Sequence, residues 1–149
     1  MNTKGIFSHK SDEWSTPTGF YEELNKEFDF TLDPCANFEN HKCDKYYTLQ
    51  DDGLRQNWEG QTVFVNPPYS NIKAWAKKCY EESKKDNTII VLLMPSRTDT
   101  KYFHEYIYKK AELRFIKGRL KFGNSKNSAP FPSMLAIYNN KNEKKLMQQ

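Results

Sequence analysis

The stretch VFVNPPYSNIKAWAKKCYEESKKDNTIIVLLMP, residues 63–95, decides how this chain folds. It opens on Val63-Phe64-Val65, β-branched and aromatic, which suits a buried strand. Pro67 and Pro68 cannot donate to a sheet ladder, so the strand must end at Asn66. Ile72, Trp75, Ala76 and Cys79 then recur at helical spacing on one face. From Thr88 to Met94 the chain becomes almost continuously apolar, as expected of a strand covered on both faces, and Pro95 stops it. Strand, helix and strand in succession argue for parallel pairing.

The flanking sequence extends this pattern. Thr16-Pro17 reads as a helix start, with threonine as cap and proline at the first helical position. Phe20, Leu24 and Phe28 follow on one helix face. Phe28 to Leu32 alternates and predicts a short strand ending near Asp33. Residues 34–58 show no clear periodicity. Tyr102, Phe103, Tyr106 and Ile107 predict a helix, and Leu113–Ile116 and Met134–Tyr138 predict two strands. Between those strands Lys117–Ser133 holds two glycines and two prolines, the composition of a long loop. Residues 1–13 and the charged tail from Asn139 are expected to be flexible ends of a single domain over 1–149. The expected fold is α/β, a mostly parallel sheet with helices on both faces. Ligands in such sheets bind beyond the carboxyl ends of the strands. Asp33 and Asn66 are both placed at such ends.

Composition narrows the function. The chain has 149 residues, enough for one domain with a real core. Its mean hydropathy is −0.92. No apolar run is longer than the six residues Ile89–Met94, far short of the roughly 20 that cross a bilayer. With no signal-peptide pattern at the start, the expectation is a cytoplasmic protein away from membranes. Cys35, Cys43 and Cys79 are odd in number and form no Cys-x-x-Cys, so free thiols are expected. His41 and Cys43 lie near Cys35, yet structural zinc wants four ligands at tight paired spacing, and no metal is expected. Charge is unevenly divided. Residues 1–60 carry 6 basic and 12 acidic side chains, whereas residues 61–149 carry 17 basic and 7 acidic. Seven basic residues fall within 109–126 against the single acid Glu112. Such a run can attract phosphate backbones, or it can be a solvated lysine-rich face.

The turn Asn66-Pro67-Pro68-Tyr69 carries chemistry of its own. Two prolines restrict two φ angles and remove two donors, and each favours extended geometry in the residue before it. The result is a stiff turn that presents the Asn66 amide oxygen and the Pro67 carbonyl as acceptors. Two rigid acceptors suit an –NH₂ group, and Tyr69 offers a flat face for the ring that bears it. An exocyclic amine on a base is a poor nucleophile, because its lone pair is delocalised into the ring. Acceptors that grip its hydrogens favour the pyramidal form and free that pair, with no obligatory base or metal.

With these residues in view, the chain resembles the small phage-type DNA N6-adenine methyltransferases, Dam-related enzymes dependent on S-adenosylmethionine. The turn Asn66-Pro67-Pro68-Tyr69 matches the superfamily's catalytic motif. Further matches are Trp14-Ser15-Thr16-Pro17, Leu32-Asp33-Pro34-Cys35-Ala36, Asp51-Asp52-Gly53-Leu54 and Trp58. Pro95-Ser96-Arg97-Thr98-Asp99-Thr100, Phe103-His104, Lys117–Phe122 and Ala129–Ser133 complete a series from about Asp12 to Tyr138.

The resemblance implies a Rossmann-like methyltransferase fold, abbreviated because only 32 residues separate Asp33 from Asn66. It implies transfer of a methyl group from S-adenosylmethionine to a flipped-out adenine in double-stranded DNA. Asn66, Pro67, Pro68 and Tyr69 would be catalytic. Trp14, Thr16 and Pro17 would wall the cofactor pocket. Asp33 and Pro34 would meet the methionine end, and Asp51 or Asp52 the adenosine. Arg97, Arg119 and Lys121 would contact DNA. The chain departs from the usual pattern in lacking a Gly-x-Gly after Asp33; its next glycine is Gly53. Methylation of RNA or a protein amide, and a non-catalytic DNA-binding relative, are the competing readings. The recognition sequence and oligomeric state are not encoded in any motif.

Overall fold

A computed structural model describes residues 15–123 and 128–140. Trp14, the ends expected to be flexible and Lys126 lie outside these residues, except that Asn139 closes the last strand. The chain runs α1 (Thr18–Phe28), β1 (Leu32–Asp33), β2 (Lys45–Tyr46), β3 (Thr62–Val65), α2 (Ile72–Glu82), β4 (Ile89–Pro95), α3 (Lys101–Tyr106), β5 (Glu112–Phe115) and β6 (Ser133–Asn139). Short 3-10 turns occupy Gly53–Arg55 and Tyr69–Asn71.

The six strands form one sheet in the order β2-β1-β3-β4-β6-β5. The pairs β1–β2, β1–β3 and β3–β4 are parallel, and β4–β6 and β5–β6 are antiparallel. The sheet is therefore mixed, with β6 opposed to both its neighbours. The loop from β5 leads directly back into β6, and an antiparallel return of this kind needs no crossover helix.

Side chains leave the strands alternately, so the sheet has two apolar faces. Val63, Val65, Ile90, Leu92 and Met94 join Trp75, Ala76 and Cys79 of α2 and Phe103 of α3. Phe64, Val91, Leu93, Leu135 and Ile137 join Tyr21 and Leu24 of α1 with Phe122, Ala129 and Phe131 of the long loop. β4 lies between the two clusters and its residues 90–94 are wholly buried, which accounts for their unbroken apolar run.

Three local expectations change. Phe28 closes α1 instead of opening a strand. Asp29 ends the helix in the left-handed region, at φ 56°, and its N–H bonds the Asn25 carbonyl at 2.8 Å. The Asn25 side chain accepts the Phe30 N–H, also at 2.8 Å. The alternating apolar residues are satisfied by this turn, with Phe28 and Phe30 stacked at 5.6 Å, and only Leu32 and Asp33 join the ladder. Pro95 is the last residue of β4, opposite Ser133, rather than a stop beyond it; a proline is tolerated where the ladder ends. Thr16 does not cap α1. The helix begins at Thr18 after Pro17, with no side-chain cap bond.

The segment between β2 and β3 has little regular structure but is firmly held. Trp58 is fully buried. Its ring N–H donates to the Gly53 carbonyl at 3.1 Å and its backbone N–H to the buried Glu82 carboxylate at 2.6 Å. Lys85 pairs with the same carboxylate at 2.6 Å and Lys78 at 3.5 Å. A buried carboxylate is tolerable when paired and hydrogen-bonded in this way. Gly53, the first glycine after Asp33, is required for packing against the Pro34 loop. A Cβ there would collide with the Pro34 carbonyl and lie 3.1 Å from the Trp75 ring. Overpacking of this kind typically costs about 1–3 kcal/mol. Gly53→Ala should therefore lower the urea midpoint clearly, and a variant with an unchanged midpoint would show that the Pro34 loop yields freely.

Candidate active site

The chain passes from β1 outward to β2 and then returns to β3 on the other side of β1. A reversal of this kind leaves a crevice beyond the carboxyl ends of β1 and β3. A cavity of about 590 Å³ lies there, lined by Asp33 and Pro34 after β1 and by Asn66 after β3. Thr16, Asp52 and Pro68 line it as well.

Asp33 is 5% exposed. Its carboxylate accepts the Lys42 N–H at 2.9 Å and the Cys35 N–H at 3.4 Å. Among the described residues no cationic side chain forms an ion pair with it. Burial pushes its pKa above the ordinary carboxylate value, against the opposing pull of the two backbone donors. A buried carboxyl that faces a cavity with only backbone partners is poised for a ligand cation.

The Asn66 amide is fixed at both ends. Its Nδ2 donates to Thr16 Oγ1 at 3.0 Å, and its Oδ1 accepts the Tyr69 hydroxyl at 3.3 Å. Tyr69 stands edge-on to Phe131 at 5.3 Å and to Phe122 at 6.5 Å, so the loop between β5 and β6 buttresses its ring. Burial raises the Tyr69 pKa, keeping the phenol neutral.

The two candidate aspartates separate clearly. Asp51 is exposed and accepts both the N–H and the hydroxyl of Thr48, at 2.9 and 3.0 Å, which holds a turn and lowers its pKa. Asp52 adopts φ 57° and lines the cavity. Pro17, Pro67 and Tyr69 are not on the cavity wall; Pro17 precedes α1, Pro67 is buried beneath the turn, and Tyr69 packs against Phe122 and Phe131. Lys42 and Trp75, which no motif singled out, do line it. So do Phe38 and Leu49, which are 78% and 84% exposed. Two large apolar residues in so polar a stretch were the available signal for that rim.

The candidate DNA residues follow β4 and β5. Both strands run in the same direction as β3, so Arg97, Arg119 and Lys121 come after the same carboxyl edge as Asn66. All three are exposed, and Arg119 bonds the Ala129 carbonyl at 3.2 Å. The rest of the basic run is employed differently. Arg114 grips Glu27 with two bonds of 2.7 Å and Glu112 with one of 2.8 Å, tying β5 to α1. Lys109 and Lys110 sit over the Tyr108 and Tyr80 rings.

Among the described residues no helix is long and apolar enough to cross a membrane. No group of three His, Cys, Asp or Glu that could hold a metal ion occurs among them.

The fold and cavity define an α/β protein with a crevice at a topological switch point. Comparison with known proteins identifies its kind. The family model for DNA N-6-adenine-methyltransferase (Dam) matches residues 4–147, and the chain belongs to that family. It is 33% identical over 111 residues to the DNA N-6-adenine-methyltransferase of Escherichia phage T1, a match covering 73% of this chain and 46% of that protein. It is 28% identical over 139 residues to the enzyme of the same description from Haemophilus phage HP1, covering 87% of this chain and 80% of that one. The chain thus spans about half the length of the phage T1 relative, but most of the HP1 one.

Proposed function

We propose that the protein methylates the N6 amine of adenine in DNA, with S-adenosylmethionine as donor, on a small Rossmann-like methyltransferase sheet. The observation that carries this reading is the convergence of the buried Asp33 with Asn66 and Pro68 of the Asn-Pro-Pro-Tyr turn on one cavity.

The residues present fit the cofactor. Asp33 supplies a buried negative pole for the ammonium of its methionine end. Pro34 and Thr16 form adjoining wall, and Asp52, rather than Asp51, is positioned for the adenosine hydroxyls. When bound, S-adenosylmethionine supplies an electrophilic methyl on sulfonium. Asn66 Oδ1 and the Pro67 carbonyl would accept hydrogen bonds from the two amine hydrogens of the adenine and draw its lone pair out of conjugation, one of those protons passing to solvent once the nitrogen is methylated. The Tyr69 hydroxyl, bonded to Asn66 Oδ1, must share or release that acceptor as the amine arrives. The Tyr69 ring, held by Phe122 and Phe131, offers the stacking surface. The target adenine has to leave the duplex, because its amine cannot meet the cofactor from within the stack.

Arg119, Lys121 and Arg97 are assigned to phosphates. Each phosphate contact contributes about 0.9 to the slope of log affinity against log salt. Arg119→Ala should reduce the slope by about that amount; an unchanged slope would take this loop off the DNA backbone. The function itself is tested with radiolabelled S-adenosylmethionine and duplex DNA, followed by nucleoside digestion. N6-methyl-2′-deoxyadenosine from the digested DNA is the expected product. Label in an RNA or a glutamine peptide, with none in DNA, would move the substrate class.

A further inference from the structure

We propose that Thr16 is the positioning residue for the Asn66 amide, holding it in the plane in which its oxygen can accept the target amine. This rests on the function proposed above but assigns Thr16 a role distinct from walling the cofactor.

Thr16 precedes the first helix, where a threonine hydroxyl ordinarily caps. Here the helix start has no side-chain cap bond. The hydroxyl instead lies 3.0 Å from Asn66 Nδ2, fifty residues away in sequence. Thr16 is 5% exposed, so water competes little for this bond. Its position is set from both sides. The Pro17 carbonyl accepts the Tyr21 N–H at 3.0 Å, which anchors Thr16 to α1, and the Ser15 carbonyl accepts the Gly123 N–H at 2.7 Å, which anchors it to the basic loop. The β-branched side chain is also stiff about χ1.

An amide that turns about its Cβ–Cγ bond presents N–H donors instead of its oxygen, and donors repel an incoming amine. The Tyr69 hydroxyl holds the oxygen end, but that contact is given up or shared when adenine binds. The Thr16 contact lies on the opposite end of the amide and can persist through the reaction. The Thr16 contact is therefore able to maintain the amide's orientation at the moment it is needed.

The test compares Thr16→Val, which keeps the shape and removes the acceptor, with Thr16→Ser, which keeps the acceptor. Steady-state methylation, calorimetric affinity for S-adenosylmethionine, and the ¹⁵N–¹H resonances of the Asn66 side-chain amide are measured on all three proteins. Thr16→Val should lose about tenfold in kcat, the worth of roughly one net hydrogen bond, while cofactor affinity stays within about twofold. Thr16→Ser should recover most of the loss. The Asn66 amide resonances should move in Thr16→Val and stay near their wild-type positions in Thr16→Ser. Wild-type kcat in Thr16→Val overturns the proposal, as does a loss confined to cofactor affinity. The resonances require no turnover. If the wild type methylates nothing, the proposed function has failed, and an Asn66 amide unmoved by Thr16→Val would still overturn the positioning role separately.

Discussion

Asn66→Ala should reduce methyl transfer by at least about a hundredfold while leaving affinity for S-adenosylmethionine nearly unchanged. The substitution keeps both prolines and hence the turn, so the Pro67 carbonyl stays in place. What is lost is the side-chain oxygen that takes one of the two amine hydrogens. Removing one preorganised polar group aimed at developing charge costs roughly 10²–10³ in kcat in well-measured cases. The contacts expected to hold the cofactor, from Asp33 to Asp52, are untouched. Single-turnover transfer on a cognate duplex, with calorimetry on the same preparation, measures both quantities. Wild-type transfer in a folded Asn66→Ala protein would remove the amine-gripping role. A parallel loss of cofactor affinity would show that Asn66 serves the cofactor instead.

The second large effect belongs to Asp33. Asp33→Ala should weaken S-adenosylmethionine by about tenfold or more, since a hydrogen bond to a charged group contributes roughly 1.5–3 kcal/mol. The pH dependence follows from its burial. The folded-state pKa is raised, chiefly by desolvation, and the ammonium needs the ionised form. Affinity should fall as pH drops through that raised value, at a pH where an ordinary surface aspartate would still be ionised. For stability the sign is the reverse. A carboxyl with a raised folded pKa stabilises the fold below its unfolded pKa, and that contribution is lost as pH rises through the folded value. The ionised Asp33 is therefore a stability cost at neutral pH, which the bound ammonium relieves. Cofactor should raise the melting temperature more at neutral pH than under acid conditions. Calorimetric affinity independent of pH, or unchanged in a folded Asp33→Ala protein, would remove Asp33 from the ammonium site.

Arg114 shows why charge counting alone could not mark out the DNA surface. It belongs to the same basic run as Arg119 and Lys121, but it is consumed by Glu27, 87 residues away in sequence. A linear run of positive residues carries no information about distant acids. Lys117, Arg119 and Lys121 of that run stay exposed beyond β5, and of these Arg119 and Lys121, with Arg97 after β4, are the ones proposed to contact DNA.

The sequence by itself determined the strand–helix–strand unit of residues 62–95 and the stiff turn at the end of its first strand. Both are local. Apolar periodicity is read within one element, and two prolines restrict their own φ angles whatever surrounds them. For the same reason Asp33 and Asn66 could be placed at strand ends before the sheet order was known. Tertiary structure alone decided the rest. Asp51 and Asp52 are adjacent and chemically identical; the Thr48 turn claims the first, while the second lines the cavity and pairs with Arg55 at 3.3 Å. Gly53 and Pro34 lie 19 residues apart and meet beside Trp75 of α2, a contact that no local pattern announces. Thr16 read locally as a helix cap, since capping depends on neighbours in sequence. Its actual partner is Asn66, brought to it only when α1 packs on the face of the sheet that contains Phe64. Local propensity is a matter of a few residues and about 1 kcal/mol, and a buried side-chain contact across fifty residues is decided by packing that no local pattern records.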